Sequence, residues 1–280
     1  MRFGRIAVCV KHVPSRVEVD PLTGGVTTFA NEAGMSDADS AALALGLSLA
    51  DEVTVVCVGG SGADRTLREA LAAGARRAVR CPADSSGHAS SFEVARALGS
   101  VVGDDDLVLC GAYSLDRGSG SVPAFLAAAL GVGQALGCVR VASVEGGLRV
   151  ERRLERGRRE VLLVDRRAVV SVEGSVARLG RAALAAVLAA QQHVIELGPP
   201  VLVEPPMGAL VPHRPRVKLS HGPDPAAGAL DRIRQLTDLT AGSVAARAVA
   251  LEPFAAAEAI LDQLAQWGYV PSSPGRRPPE

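Results

Sequence analysis

LVLCGAYSLDRGSGSVPAFLAAALG, residues 107–131, is the stretch on which the fold turns. Leu107–Cys110 is a short, continuous apolar run, the pattern of a strand covered on both faces of its sheet. Gly111 ends it, a loop with Gly118, Ser119, Gly120 and Ser121 follows, and an uncharged Ala/Leu-rich helix begins at about Val122. Strand, glycine-rich loop and helix together form an anion-binding arrangement. The glycines let backbone N–H groups approach a ligand, the serines add hydroxyls, and the positive end of the helix points at the same place. Each contribution is only about 0.3–1 kcal/mol when exposed, so several must converge to hold a phosphate. An ordinary polar loop would show the same pattern, and the residues alone leave both readings open. Ligands of open parallel sheets lie beyond the carboxyl ends of the strands, which is where this loop falls.

The alternation continues outward. Arg5–Val10, Val53–Val58 and Ala78–Cys81 are further apolar strand candidates. Between them, Ser36 and Asp39 have capping-box spacing and open a helix toward Ala50; the alternating Leu43, Leu45, Leu47 and Leu49 argue for a strand, but Ala content, length and cap favour helix. Ser61 and Asp64 have the same spacing, ahead of a helix with Leu67, Ala70 and Leu71 on one face and Gly74 as its stop. A third helix spans about Ser91–Val102. The order implies an α/β fold of the Rossmann-like, adenine-nucleotide-binding kind, with a mostly parallel sheet and helices on both faces. Val17–Ala30 reads as an irregular excursion or small hairpin. From Cys138 to Val172 strand follows strand (Val139–Val144, Gly147–Leu154, Glu160–Val164, Ala168–Val172), adding antiparallel strands to the sheet. The expected organisation is a nucleotide-binding domain over 1–196, a Pro-rich C-terminal arm or insertion over 197–252, a helix over 253–270 and a disordered tail over 271–280.

Thirty basic and thirty acidic residues cancel, which argues against a nucleic-acid footprint. Aromatics are 3% of the chain, so the core must be built from Ala, Val and Leu. The five cysteines, Cys9, Cys57, Cys81, Cys110 and Cys138, form no C-x-x-C pair and interrupt apolar runs, as buried thiols of a reducing, cytoplasmic compartment do. The N-terminus reads as a first strand, not a signal peptide, and the uncharged stretch Val122–Val139 is broken by Pro123 and three glycines, so no membrane insertion is expected. Gly59-Gly60-Ser61-Gly62 is incomplete as a dinucleotide fingerprint and reads as a tight turn. The five histidines, His12, His88, His193, His213 and His221, lack metal-ligand spacing, and Asp104–Asp106 reads as a solvated turn. Lys11 and His12 end the first strand, where they face either a ligand or solvent. No catalytic constellation is present, so no metal and no enzyme activity of its own is expected. Leu184, Val187 and Leu188 share a helical face, either a docking patch or a buried stripe.

Five features together resemble the beta subunit of electron transfer flavoproteins, over about Arg5–Glu196. They are the V-x-V-K-x-V of Val8–Val13, the Met35-Ser36-Asp37-Ala38-Asp39 helix start, TLREALAAGA at Thr66–Ala75, and DRGSGSVPAFLAAALG at Asp116–Gly131. The fifth is Val150-Glu151-Arg152 with Gly157 and then Ala168–Val172. The resemblance implies an electron carrier that pairs with an alpha subunit holding most of the FAD, receives electrons from flavin-dependent dehydrogenases and binds a structural AMP. By position, the AMP contacts would be Cys9, Ser36, Asp37, Ala38, Asp39, Val58, Gly111, Asp116, Gly118, Ser119, Gly120 and Ser121. Glu173–Ile195 would be the partner-recognition segment, with Leu184 at its anchor leucine. The chain departs from the family in Ser36-Asp37 for Asn-Pro, Arg16 near the flavin edge, Gln191, Gln192 and His193 at basic positions, and the Pro-rich insertion. Two alternatives stand beside this reading: a bifurcating-type subunit with a second FAD in place of AMP, and a stand-alone adenine-nucleotide-binding module.

Overall fold

The computed structural model describes residues 3–20, 22–23, 25–83, 89–103, 107–201, 226–236 and 251–266. The chain forms two units, Met1–Gly208 and Ala209–Glu280. In the first, the elements run β1 (Phe3–Val10), β2 (Val13–Pro14), β3 (Val17–Val19), β4 (Val26–Thr28), a 3-10 turn (Ala30–Glu32), β5 (Ala33–Gly34), α1 (Asp37–Leu49), β6 (Ala50–Gly59), α2 (Ala63–Ala73), β7 (Arg77–Pro82), α3 (Ser91–Val102) and β8 (Leu107–Gly111). They continue with α4 (Val122–Leu130), β9 (Gly133–Val144), β10 (Gly147–Arg153), β11 (Arg159–Asp165), β12 (Ala168–Val172), α5 (Leu184–Gln192) and β13 (Glu196–Leu197). The second unit contributes α6 (Ala229–Leu236) and α7 (Pro253–Gln266), which show Leu230, Ile233, Phe254 and Ile260 to solvent. The solvated turn expected at 104–106, most of the Pro-rich arm, the tail from Ser272, and His88, His213 and His221 lie outside the described residues.

One nine-stranded sheet has the order β11-β10-β9-β12-β8-β1-β6-β7-β13. Pairing is parallel from β9 through β13, and the β9-β10-β11 edge is antiparallel. The α/β fold and its added antiparallel strands are therefore as the sequence leads one to expect. Alternation along β1 divides the core. Ile6, Val8 and Val10 meet Leu43 of α1 and Leu67 of α2 in one cluster; Ala7 and Cys9 meet Leu98 of α3 and Leu126 of α4 in the other. Helices thus cover both faces. Fully burying each such aliphatic side chain contributes about 1.5–3 kcal/mol, which is how a core poor in aromatics suffices. Val17–Val19 and Val26–Thr28 pair as the small hairpin.

Local rules hold at α1, where Ser36 Oγ accepts the Asp39 N–H at 3.0 Å. They fail at α2. Its N-cap is Gly62, one residue past the expected Ser61 and without a side chain to cap with, and Asp64 instead forms an ion pair with Arg80 at 2.6 Å. Residues 59–62 form a tight turn, with Ala63 N–H donating to the Gly60 carbonyl. β9 begins at Gly133, earlier than expected, because Gly137, at φ +66°, lets the strand jump register against β12 instead of breaking it.

Candidate functional site

The strand order locates the site. From β1 the chain adds β6 and β7 on one side, then crosses to place β8 on the other. At such a switch point the loops leaving two neighbouring strands diverge and leave a crevice beyond the carboxyl ends. A cleft of about 230 Å³ opens there, walled by the ends of β1, β6 and β8 and the starts of α3 and α4.

Its lining brings together Cys9, Asp39, Val58, Gly111, Asp116, Ser119, Gly120 and Ser121 of the residues named from sequence. Ser36, Asp37, Ala38 and Gly118 do not line it. Ser36 and Ala38 are buried, and Ser36 serves as the α1 cap. Asp37 faces a separate depression beside Gly174. Gly118, at φ +62°, turns the loop by donating its N–H to the Ser114 carbonyl at 3.0 Å. Residues that sequence reasoning left unassigned complete the walls, Ser91, Val94 and Leu98 from α3, and Arg117 joins them from the expected loop. Only the topology places α3 there. The signal for its start, a capping box in which Ser90 and Glu93 bond reciprocally, was available in the sequence.

The loop is tied on three sides. Lys11 Nζ meets Asp116 Oδ2 at 2.5 Å, which settles Lys11 as a cleft residue. Arg117 Nη1 donates to the Ala89 carbonyl at 2.6 Å, and Ser121 Oγ donates to Ser91 Oγ at 2.9 Å. Ser119 and Ser121 hydroxyls lie 3.0 Å apart. α4 has no side-chain cap bond: its N-cap Ser121 is in the αR region, not the extended conformation of a capping serine. Its first turn, which lines the cleft at Val122 and Pro123, keeps its positive end for a ligand. Gly120, at φ +60°, is required twice over, since a Cβ there would also stand 2.7 Å from the Ala112 carbonyl oxygen. A Cβ at Gly111 would collide with Asp39 Oδ1.

Two carboxylates sit here in different states. Burial pushes Asp39 up to about 6, against hydrogen bonds from the Lys11, Ser36 and Gly111 groups that pull it down. Burial also pushes Asp116 upward, but hydrogen bonds from Lys11 and Ser114 outweigh it and hold its carboxyl below the usual range. His12 turns away from the cleft, with Nδ1 2.8 Å from Thr66 Oγ1. Among the described residues no group of three His, Cys, Asp or Glu is placed to hold a metal ion. The lining combines hydrogen-bond donors and a helix start with apolar Cys9, Val58, Val94 and Leu98, the mixture of polar and apolar walls that small-molecule sites have.

Away from the cleft, α5 packs on α2 and shows its apolar face: Leu184 is 73% exposed, Val187 37% and Leu188 60%. Among the described residues the patch is therefore exposed, not a buried stripe. No helix among the described residues is long and apolar enough to cross a membrane.

Residues 23–200 match the model of the electron transfer flavoprotein domain. The chain is 35% identical over 167 residues to Protein FixA of Bradyrhizobium diazoefficiens, covering 54% of this chain and 58% of that protein. It is 33% identical over 159 residues to the electron transfer flavoprotein subunit beta of Mycobacterium bovis, covering 51% of this chain and 59% of that one. The match thus spans somewhat under three-fifths of these relatives' length.

Proposed function

The chain belongs to the electron transfer flavoprotein domain family, and on that premise we propose that it is a beta-type subunit of a heterodimeric electron carrier. In this reading an alpha-type partner holds most of an FAD, and flavin-dependent dehydrogenases supply the electrons. The flavin, when bound, provides the redox chemistry; this chain provides surfaces and a nucleotide site. The observation that carries the reading is the switch-point cleft, whose residues suit AMP. Gly120, Ser119, Ser121 and the α4 start would take the phosphate, and Val58, Val94 and Leu98 would flank the adenine. Such a nucleotide would bridge β1, β8, α3 and α4, so its role is structural. At about 100 times its Kd it would add roughly 2.7 kcal/mol to stability. The exposed Leu184, Val187 and Leu188 form the face offered to a docking protein.

Co-expression with an alpha-type subunit tests this. The expected product is a yellow one-to-one complex with one flavin and one AMP. Two flavins and no AMP would replace it with a bifurcating-type subunit. A stable monomer carrying ATP and no flavin partner would replace it with a stand-alone nucleotide module.

A further inference from the structure

β11 is the last strand of the sheet on its side: β10 pairs with one of its edges, and no described strand pairs with the other. An open edge shows a row of unpaired backbone N–H and C=O groups, ready for another strand, and natural edges are blunted by a mid-strand charge, a proline or a bulge. β11, REVLLVD, has none of these. Its register with β10 runs unbroken from Arg159 to Asp165, and its centre, Val161 to Val164, is aliphatic throughout. Leu163 is 79% exposed and Val161 48%, both on the outer face. The charges stand toward the ends, and the two end residues have opposite signs. Arg159 and Asp165 are exposed, and neither forms an ion pair among the described residues. Arg159 lies opposite Arg153 of β10, and like charges directly opposite are destabilising. An acidic group across the free edge would relieve that pair.

We propose that β11 pairs with β11 of a second copy of this chain, antiparallel and two-fold about Leu162. Leu162 then meets itself, Val161 meets Leu163 of the copy, and Arg159 meets Asp165 of the copy; the two-fold repeats the last two contacts. Aliphatic pairs and opposite charges directly across a seam both favour pairing. In-register parallel pairing would instead set Arg159 against Arg159 and Asp165 against Asp165. The remaining charges are occupied within their own chain: Glu160 with Arg152, Arg158 Nε with the Glu155 carbonyl at 3.4 Å, and Arg166 over the Phe3 ring at 5.4 Å. One strand edge is a small interface, so the dimer is reversible and depends on concentration. It rests on neither the nucleotide nor the flavin reading.

Sedimentation velocity of the full-length chain in low-salt buffer tests this. The wild-type chain should shift from monomer to dimer as its concentration rises. Arg159→Glu and Asp165→Arg should each raise the dimer dissociation constant about tenfold, because each sets two like-charge pairs across the seam. An equal mixture of these two variants should recover the wild-type affinity, since the two new charges then face each other. Leu163→Lys, at an exposed side chain, should leave the circular dichroism spectrum unchanged and abolish the dimer. A wild-type chain that stays monomeric up to its solubility limit would overturn the proposal, as would a mixture no tighter than its two components. A monomeric wild-type chain whose Leu163→Lys variant binds an alpha-type subunit more weakly would give the edge to that partner and overturn it too.

Discussion

Gly120→Ala and Gly118→Ala form a matched pair that isolates how tightly the loop is built. Both glycines have left-handed backbones, at φ +60° and +62°, so either alanine incurs about 1–2 kcal/mol from conformation alone. The surroundings differ. At 118 the new methyl would find its nearest neighbour, the Ser114 carbonyl oxygen, at 3.9 Å, an ordinary contact. At 120 it would stand 2.7 Å from the Ala112 carbonyl oxygen. That peptide segment cannot retreat freely, because the Ala112 N–H is bonded to the Val172 carbonyl at 2.9 Å, at the end of β12. Overpacking of this kind costs a further 1–3 kcal/mol or so. Gly118→Ala should therefore lose about 1–2 kcal/mol and Gly120→Ala about 2–5 kcal/mol, read from urea midpoints at constant m. Nucleotide released on denaturation should persist in the first and vanish in the second. Equal midpoints for the two variants, or full nucleotide retention in Gly120→Ala, would refute this picture of the cradle.

Asp39 gives a pH prediction. Its folded-state carboxyl sits at about 6, above its ordinary 3.8, so the folded state binds the proton more tightly and its stabilising contribution is full below about pH 4 and lost as pH rises through 6. At about 1.36 kcal/mol for each pH unit between those two values, the loss is at most about 3 kcal/mol. It should appear as the difference between wild-type and Asp39→Asn stability across pH 4–7; a flat difference would count against it. Leu188→Asp, on the exposed face of α5, should change stability by less than about 0.5 kcal/mol yet slow electron transfer from a dehydrogenase donor. Unaltered transfer rates would remove α5 from the docking surface. Burial pushes the Cys57 thiol up to about 12, so alkylation of Cys57 in the native protein should await unfolding, as mass spectrometry of labelled peptides can check.

How legible the molecule was depended on whether a signal is local. β1, β6, β7 and β8 are apolar because both faces of their sheet are covered, and composition records that directly. α1 resisted its misleading Leu alternation because it lies against the sheet with Leu43, Leu45 and Leu49 all buried, so both the helical and the alternating pattern meet the core. The glycine loop was visible, as its backbone demands glycine at 118 and 120 whatever the ligand. What escaped was set at long range. Asp64 leaves its capping role for Arg80 across 16 residues of chain, and the bulge at Gly137 makes sense only against Ser171, whose Oγ accepts the Gly137 N–H at 2.9 Å. Ser91, Val94 and Leu98 enter the cleft because β7 and α3 are laid beside β6, which no local pattern states. The openness of Leu184 and Leu188 was likewise undecidable locally, since an apolar stripe reads alike whether covered or bare.

The nucleotide reading stands or falls on one measurement: denaturing the purified chain with acid and identifying what it releases by chromatography and mass. AMP is expected, close to one per chain, bound through the cleft at the ends of β1 and β8. Release of no nucleotide, or of ATP or FAD in its place, would contradict that reading.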